Sequence, residues 1–371
     1  MTLTDVLAKV ESSSDQALEL LKEYCRFPTI SAHRKAQPET AAFVRRILSE
    51  NGFEAREYPT EGGPNVVFGQ MIVDETKPTL LMYEHYDVQP TDPIHEWKRD
   101  PFDPVVQDGK FWARGCGDTK GNLIAQLLAV QAWRDVEAAP PINLKFVVEG
   151  EEEVGSPHFR SFVEAHKDIL KADGATVEGG DHTHDGTPKI ELGCKGTLYV
   201  ELIARTAKVD QHSMYAPIAP NPAWRLIHAL NTLRDQRGRV TIPGWLEDAR
   251  KPTPREIRYL KASGFKAQSL KEFWGVRELL GGDTDLEVLR RLVYWPTCTI
   301  CGFESGYTGE GTKTVNPAVA KAKVDFRILP NMKSDKQLVK LQDHLKAKGF
   351  EDIEVVYKDH LDPSAIAMNA R

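Results

Sequence analysis

Four short segments of this chain carry histidine or carboxylate side chains where apolar strands are predicted to end. They are "YEHYDV" with His85 and Asp87, "GCGDTKGN" with Asp118, "EGEEEVGS" with the acidic run 151–153, and "TVEGGD" with Glu178. Imidazole nitrogens and carboxylate oxygens suit a pair of divalent ions, zinc most readily. Two ions roughly 3.5–4 Å apart with a bridging water suit the hydrolysis of an amide. Together the segments predict a metal-dependent hydrolytic site.

Each segment also has a simpler interpretation. His85 and Asp87 can be a core histidine bonded to its neighbour, and Asp118 can be the N-cap of the helix that follows. The run 151–153 can be a solvated acidic turn, and Glu178 alone is a weak signal. Because residues i and i+2 of a strand face the same side, we expect His85 and Asp87 to project together. If His85 binds a metal, Asp87 then fixes its tautomer.

The elements that must position these side chains are predicted from apolar periodicity. Helices are predicted over 15–27, 38–51 and 121–136. Strands are predicted over 65–73 and 79–88, and a third strand runs from 142 into an acidic loop that ends at 156. Alternating strands and helices favour an α/β layered domain with a mostly parallel sheet flanked by helices. Such open sheets place their sites at the carboxyl ends of the strands.

The pattern changes near residue 190, where we place a domain boundary. Beyond it, strands are predicted over 197–206, 314–330 and 352–359, and helices over 221–233 and 335–350. This order favours a separate α+β unit with one antiparallel sheet. A length of 371 residues also suits two domains, at roughly 150 residues for each.

Composition excludes several classes of protein. The net charge is −6 and no long basic run occurs, so a nucleic-acid partner is not expected. No apolar leader and no apolar run near the ~18 residues of a membrane span are present, so no membrane partner is expected either. Five scattered cysteines suit a reducing compartment, and we expect a cytoplasmic protein. Cys298 and Cys301 form an isolated CxxC, which is either a zinc knuckle or a pair of buried thiols.

Five blocks of the sequence resemble a known family. They are "YEHYDVQP", "ARGCGDTKGN", "EGEEEVGSPHF", "DQHSMYAPIAPNPAWRL" and "GYTGEGTKTVNPAVAKAKVDFRILPNM". In this order they resemble the dizinc metallopeptidases that include carnosinase, bacterial dipeptidases, glutamate carboxypeptidase, aminoacylase and succinyl-diaminopimelate desuccinylase. They look most like the cytosolic dipeptidase-like branch. The resemblance implies a zinc-hydrolase-type catalytic domain over 1–190, an inserted lid and dimerisation domain over 191–359, and the start of a return to the catalytic domain over 360–371.

The resemblance also implies a ligand set for two zinc ions per subunit, with Mn²⁺ or Co²⁺ as substitutes. His85 and Glu178 bind the first zinc, Asp118 bridges both, and Glu153 binds the second. Glu152 is similar to the family's general acid/base.

Further roles follow from the same resemblance. Asp87 orients His85, whereas Glu151 has no assigned role in the family pattern. His212 is similar to a histidine that reaches the partner's active site across a homodimer and stabilises the oxyanion. Thr314 and Arg327 resemble residues that hold the substrate carboxylate, a task that suits the guanidinium fork. Without the family, Arg327 is an inward strand charge in a structural ion pair.

The sequence departs from the family pattern at three places. Thr119 stands where the family usually has a second aspartate, and the family's "DLHSG" reads "DQHSM" here. Family chains continue past the lid and supply a late histidine to the second zinc, whereas this sequence stops at Arg371. His360 and His344 lie nearby but in no matching motif.

The expected function is hydrolysis of amide bonds in dipeptides or small peptides by a dizinc centre. A truncated, catalytically impaired module for metal binding and dimerisation is one alternative. A deacylase of N-acyl amino acids is another, so the substrate is a small peptide or an acyl-amino acid.

Overall fold

The structure is a computed structural model that describes residues 2–365 apart from 180, 183–185, 281 and 283. It divides into two compact units, Met1–Asp181 and His182–Arg371. The boundary near 190 and the roles of the two parts stay predictions. Of the segment 360–371, residues 366–371 lie outside the described part. No helix among the described residues has the length and apolar character needed to cross a bilayer.

The first unit combines helices with a central sheet. Its described helices are α1 (Leu3–Ser12), α2 (Ser14–Cys25), α3 (Gln37–Glu50), α4 (Gly121–Glu137), α5 (Phe159–Ala165) and α6 (Lys167–Leu170). Its strands are β1 (Glu54–Tyr58), β2 (Val66–Met71), β3 (Thr79–His85), β4 (Val105–Gln107), β5 (Lys110–Trp112), β6 (Asn143–Glu149) and β7 (Gly174–Val177). The strands β8 (Asp181–His182) and β9 (Pro188–Lys189) follow in the chain and form a separate two-stranded sheet.

The central sheet of the first unit has the strand order β1-β2-β6-β3-β7. Strand β3 runs parallel to β6 and β7, whereas β2 is antiparallel to β1 and β6. The α/β class is confirmed, but the sheet is mixed rather than mostly parallel. The difference comes from β2, which is antiparallel to both of its neighbours. Strand β1 adds a second antiparallel pair, and it was not predicted because "EAREY" is polar and only partly buried.

Strand β6 is buried along its whole length, and its side chains contribute to one apolar cluster on each face of the sheet. Phe146 and Val148 pack with apolar residues of α2, α3 and α4 on one face. Val147 packs with Phe162 of α5 on the other face. The sheet is therefore covered by helices on both sides, and the carboxyl ends of β3, β6 and β7 lie side by side.

The second unit is built on an antiparallel sheet. Its described strands are β10 (Gly193–Cys194), β11 (Gly196–Arg205), β12 (Gln211–His212), β13 (Thr299–Ser305), β14 (Val315–Asn316), β15 (Val319–Ile328), β16 (Glu354–Leu361) and β17 (Ser364–Ala365). Its described helices are α7 (Pro222–Leu230), α8 (Pro254–Ala262), α9 (Ala267–Trp274), α10 (Asp285–Tyr294) and α11 (Ser334–Ala347). Four strands form one sheet in the order β13-β15-β11-β16, with every neighbour antiparallel. This confirms the predicted α+β class of the unit.

The CxxC of the second unit lies at the start of β13. Cys298 is buried and Cys301 is exposed, and both thiols are free. The two side chains have different environments, so the expectation of two buried thiols is wrong for Cys301. Neither cysteine belongs to a group of described residues that can hold a metal.

Candidate metal centre

His85 is the last residue of β3 and its side chain is fully buried. Its Nδ1 lies 3.0 Å from the backbone carbonyl oxygen of Asp87 and 3.4 Å from the Asp87 carboxylate. Its Nε2 lies 2.9 Å from Oδ1 of Asp118. The strand is shorter than the predicted 79–88, so Asp87 lies beyond it. The two side chains meet through the turn after the strand and not through strand alternation.

Asp87 is also fully buried and uses both of its carboxylate oxygens. Oδ1 accepts the amide N–H of Glu152 and Oδ2 accepts that of Glu153, each at 3.1 Å. A side chain after β3 thus fixes the backbone of the loop after β6. The sequence analysis assigned Asp87 only to the orientation of His85 and missed this second role.

Asp118 lies in the turn before α4, and its side chain is 68% exposed. It does not cap α4, because the N-cap position falls at Lys120 and no side chain caps the helix. The neighbouring Thr119 is buried and exchanges hydrogen bonds with the backbone of His85, accepting from its N–H at 3.3 Å and donating to its carbonyl at 3.1 Å. The turn therefore directs the Asp118 carboxylate toward His85.

Lys120 anchors the other side of this turn. Its side chain is fully buried, and Nζ donates to the carbonyl oxygens of Tyr24 at 3.2 Å and Phe27 at 2.8 Å. Nζ also lies 5.0 Å from the centre of the Tyr24 ring. Burial lowers the pKa of Lys120 to about 8.

The three glutamates after β6 point in different directions. Glu152 places Oε2 4.0 Å from Nε2 of His85. Oε2 of Glu153 accepts a hydrogen bond from Gln89 at 2.8 Å. Glu151 turns away, and its buried carboxylate contacts His158. The segment is therefore not a uniformly solvated acidic turn.

Glu178 follows β7 with a positive φ of 49°. Its N–H donates to the carbonyl of Tyr83 at 3.0 Å. The N–H of Gly179 and the side-chain amide of Gln126 donate to the fully buried carboxylate of Glu84, at 3.1 and 2.6 Å. Glu84 thus positions the Glu178 turn, a role that the sequence analysis missed. A charged residue inside an otherwise apolar strand was the available signal.

Five of the predicted side chains meet in one cluster, which we call the acidic cluster: His85, Asp118, Glu152, Glu153 and Glu178. Within it, two overlapping groups bring one potential ligand atom from each member within 4.8 Å of the others. One group contains His85, Asp118 and Glu153, and the other contains His85, Glu152 and Glu178. Each group offers one imidazole nitrogen and two carboxylate oxygens, which is a donor set that fits a zinc-like divalent ion.

The electrostatics of the acidic cluster also favour a cation. Burial raises the pKa of Glu152 to about 7, and the neighbouring Glu178 and Glu153 carboxylates contribute to the increase, whereas the charge of His85 acts to lower it. Burial favours the neutral ring of His85, yet hydrogen bonds to Asp118 and Asp87 outweigh it and raise the pKa of His85 to about 11. Buried and crowded carboxylates hold their protons because desolvation, and then mutual repulsion, oppose ionisation, and a divalent ion offsets both effects.

In the second unit, the structure brings His212 and Thr314 together through the pairing of β12 with β14. Nδ1 of His212 accepts the N–H of Met214 at 3.1 Å, so the proton of a neutral ring lies on Nε2. Nε2 lies 3.1 Å from Oγ1 of Thr314 and donates to it. Both side chains are exposed.

Arg327 lies on the outer face of β15, and its side chain is 51% exposed. The expectation of an inward charge is wrong, because Phe326 and Ile328 occupy the core face of this strand. Its Nε pairs with the Asp325 carboxylate at 3.1 Å.

The two late histidines have other environments. His360 is exposed in β16. His344 is buried in α11, where Nε2 lies 2.9 Å from Oγ1 of Thr232. Neither belongs to a potential metal-binding group within the described ranges.

Comparison with known proteins gives two family matches. Residues 81–255 match the peptidase family M20/M25/M40, and residues 192–353 match a peptidase dimerisation domain. The first range contains the whole acidic cluster. The second range contains His212, Thr314 and Arg327.

Individual proteins give similar results. A metallo-carboxypeptidase of the M20 family from Sulfolobus solfataricus has a TM-score of 0.85 and 38% identity, over 95% of this chain and 80% of its own. The Cys-Gly metallodipeptidase dug1 of Schizosaccharomyces pombe is 28% identical over 90% of this chain and 74% of its own. The Beta-Ala-His dipeptidase of Homo sapiens is 32% identical over 72% of this chain and 54% of its own.

Proposed function

Because this chain belongs to the peptidase family M20/M25/M40, we propose that it hydrolyses the amide bond of dipeptides and other small peptides in a metal-dependent reaction. The observation that carries the proposal is the convergence of five side chains from four separate segments in the acidic cluster. Two relatives are named as dipeptidases, and their similarity covers 90% and 72% of this chain.

The metal-binding roles follow the resemblance described above. His85 and Glu178 would hold a first zinc, Glu153 would hold a second, and Asp118 would serve as a ligand to both, with Mn²⁺ or Co²⁺ as substitutes. When bound, two such ions lower the pKa of a shared water and polarise the substrate carbonyl. Asp87 supports this arrangement because it contacts His85 and fixes the amides of Glu152 and Glu153.

Glu152 is the general acid/base of the proposal. It accepts the proton of the attacking water and later gives it to the leaving amine. A pKa of about 7 before metal binding shows that burial disfavours its ionised form, which assists the return of the proton. Its position 4.0 Å from Nε2 of His85 keeps it next to the metal ligands.

The second unit supplies the remaining roles. His212 stabilises the oxyanion in the partner's site, where its Nε2–H would exchange the exposed Oγ1 of Thr314 for the oxyanion. Thr314 and Arg327 hold the substrate carboxylate. A homodimer through this unit is supported by the match to a peptidase dimerisation domain. Five free cysteines favour a reducing compartment such as the cytoplasm.

The test compares the wild type with Glu152→Gln on Cys-Gly and β-Ala-His, with zinc or manganese added. We expect kcat to fall by about 10³-fold because a positioned acid/base is lost. Glu164→Gln, on the exposed face of α5, is the control and keeps full activity. Equal rates in the wild type and Glu152→Gln would remove Glu152 from the mechanism. Fewer than two bound ions per chain in native mass spectrometry would contradict the dizinc centre.

A carboxypeptidase is the second candidate, because the 38% identical relative bears that name. N-blocked dipeptides and tripeptides distinguish the two activities. A dipeptidase needs the free amino group of a dipeptide, whereas a carboxypeptidase also releases the last residue of a blocked or longer peptide.

A further inference from the structure

The loop after β6 is closed by a side-chain contact between its ends. Oε1 of Glu151 accepts the backbone N–H of His158 at 2.6 Å. Nδ1 of His158 lies 3.0 Å from both carboxylate oxygens of Glu151 and donates to them. We call this contact between Glu151 and His158 the clasp.

The clasp encloses the two glutamates of the acidic cluster that come from this loop. The carbonyl of Glu151 also accepts the N–H groups of Val154 at 3.2 Å and Ser156 at 3.0 Å. Asp87 accepts hydrogen bonds from the amides of Glu152 and Glu153. The loop that carries these glutamates is thus held by two separate sets of contacts, those of Asp87 and those of the clasp.

The clasp is sheltered from water. The Glu151 side chain is 9% exposed and the His158 side chain 30%. A Cβ atom built on Gly63 would lie 2.7 Å from Nδ1 of His158, so the backbone at this glycine covers the ring closely. The nearby pair of Arg160 with Glu164 has 86% and 57% exposed side chains. Sheltered hydrogen bonds constrain a backbone more than exposed ion pairs do.

We propose that Glu151 and His158 are positioning residues of this site, whose clasp holds the loop so that Glu152 and Glu153 face His85. Neither residue touches the acidic cluster itself through its side chain in the contacts described. The catalytic consequence rests on the proposed function, whereas the effect on loop order does not.

The first test measures zinc affinity and steady-state kinetics in clasp variants. Glu151→Ala should weaken zinc binding by about tenfold and lower kcat by a similar factor, with little change in KM. His158→Ala should have a smaller effect because the backbone N–H of residue 158 still reaches Glu151. The double variant should match Glu151→Ala, since the second change has no partner left to lose. Glu164→Ala is the control for loss of a neighbouring ion pair.

Glu151→Gln tests whether hydrogen bonding is the cause. The side-chain oxygen of the glutamine can accept the backbone N–H of His158. Its NH₂ group can donate to Nδ1 of His158 in the tautomer that carries the ring proton on Nε2. We therefore expect zinc affinity and kcat within about threefold of the wild type. A Gln variant no better than the Ala variant overturns the proposal.

The second test is hydrogen–deuterium exchange of the metal-free protein over residues 150–158. The amides of Glu152 and Glu153, which donate to Asp87, should exchange about tenfold faster in Glu151→Ala than in the wild type. The increase should be smaller in His158→Ala. That variant provides the measurement if Glu151→Ala does not fold. Unchanged exchange together with unchanged zinc affinity overturns the clasp. Failure of the proposed function looks different, because then the wild type itself neither binds zinc nor cleaves dipeptides.

Discussion

Three buried carboxylates beside the acidic cluster, those of Glu149, Glu84 and Asp87, accept hydrogen bonds from neighbouring segments. Oε1 of Glu149 accepts hydrogen bonds from the hydroxyl groups of Tyr83 at 2.7 Å and Ser156 at 2.8 Å. Burial raises the pKa values of Glu149 and Glu84 to about 7. Asp87 belongs with them, because both of its oxygens accept backbone amides. These side chains fix the loops from which the potential metal ligands project.

Asp87→Asn is predicted to impair both stability and metal binding. Asparagine keeps one acceptor oxygen and turns an NH₂ group toward a backbone N–H, which leaves a buried amide without a partner. We expect the free energy of unfolding to fall by about 1–3 kcal/mol. Zinc affinity should fall by about tenfold or more. Denaturant unfolding and calorimetric titration with zinc measure the two effects.

Asp74→Asn is the matched control for Asp87→Asn. Asp74 also accepts a backbone N–H, from Thr76 at 2.8 Å, but on an exposed turn. We expect its stability and zinc affinity to stay near those of the wild type. If both variants behave alike, the burial of Asp87 has no special role.

The residue types of the acidic cluster could be predicted from the sequence, and the family resemblance gave Glu152 and Glu153 separate roles, but the contact that Glu151 makes with His158 could not be predicted. Nothing in "EGEEEVGS" shows that Glu151 turns toward His158 while Glu152 and Glu153 turn toward His85. That direction depends on long-range contacts with Asp87, which precedes the loop by more than sixty residues. The buried roles of Glu84 and Glu149 likewise depend on turns from other segments.

At the scale of elements, one aromatic residue, Tyr86, connects the carboxyl ends of β3 and β6. Tyr86 is fully buried, its N–H donates to the carbonyl of Glu149 at 2.8 Å, and its hydroxyl donates to the carbonyl of Asn65 at 2.6 Å. A Cβ atom on Gly150 would lie 2.3 Å from two ring carbons. Gly150 is therefore the residue that lets the acidic loop leave β6 beside this ring.

Gly150→Ala is predicted to lower the free energy of unfolding by about 1–3 kcal/mol, because the added methyl group overpacks the Tyr86 ring. It should also lower kcat, since the displaced loop carries Glu152. Thermal unfolding and dipeptide kinetics measure both effects.

Gly174→Ala provides the control, because a Cβ atom there meets nothing within 4 Å. That variant should keep the stability and activity of the wild type. Equal stability of the two variants would contradict the close contact with Tyr86.

The elements that could be predicted were those with strong apolar periodicity. Strands β2, β3 and β6 and helices α2, α3 and α4 lie within a few residues of their predicted positions. Helices α8 and α10 were missed although each begins with a capping box, Thr253 with Glu256 and Thr284 with Glu287. That short motif was the available signal.

At the scale of the whole molecule, the prediction concerns how two chains share a site. Glu152→Ala and His212→Ala are each expected to be nearly inactive alone. Mixed dimers of the two should contain one site with both intact residues, because His212 is proposed to serve the partner. After refolding a 1:1 mixture, we expect about a quarter of wild-type activity from random pairing.

A mixture of Glu152→Ala with Asp118→Asn is the control for this recovery. Both changes lie in the acidic cluster, so every site in every dimer stays defective. No recovery in either mixture would contradict action across the dimer, and a sedimentation mass of one chain would contradict the dimer itself.

The buried ammonium group of Lys120 has one more consequence. Its two carbonyl partners, Tyr24 and Phe27, lie at and just after the end of α2, and its side chain has no exposed surface. Amine-acylating reagents and lysine-modifying enzymes therefore cannot reach this nitrogen in the closed fold. The rate at which Lys120 becomes labelled reports how often the end of α2 detaches from the turn that carries Asp118.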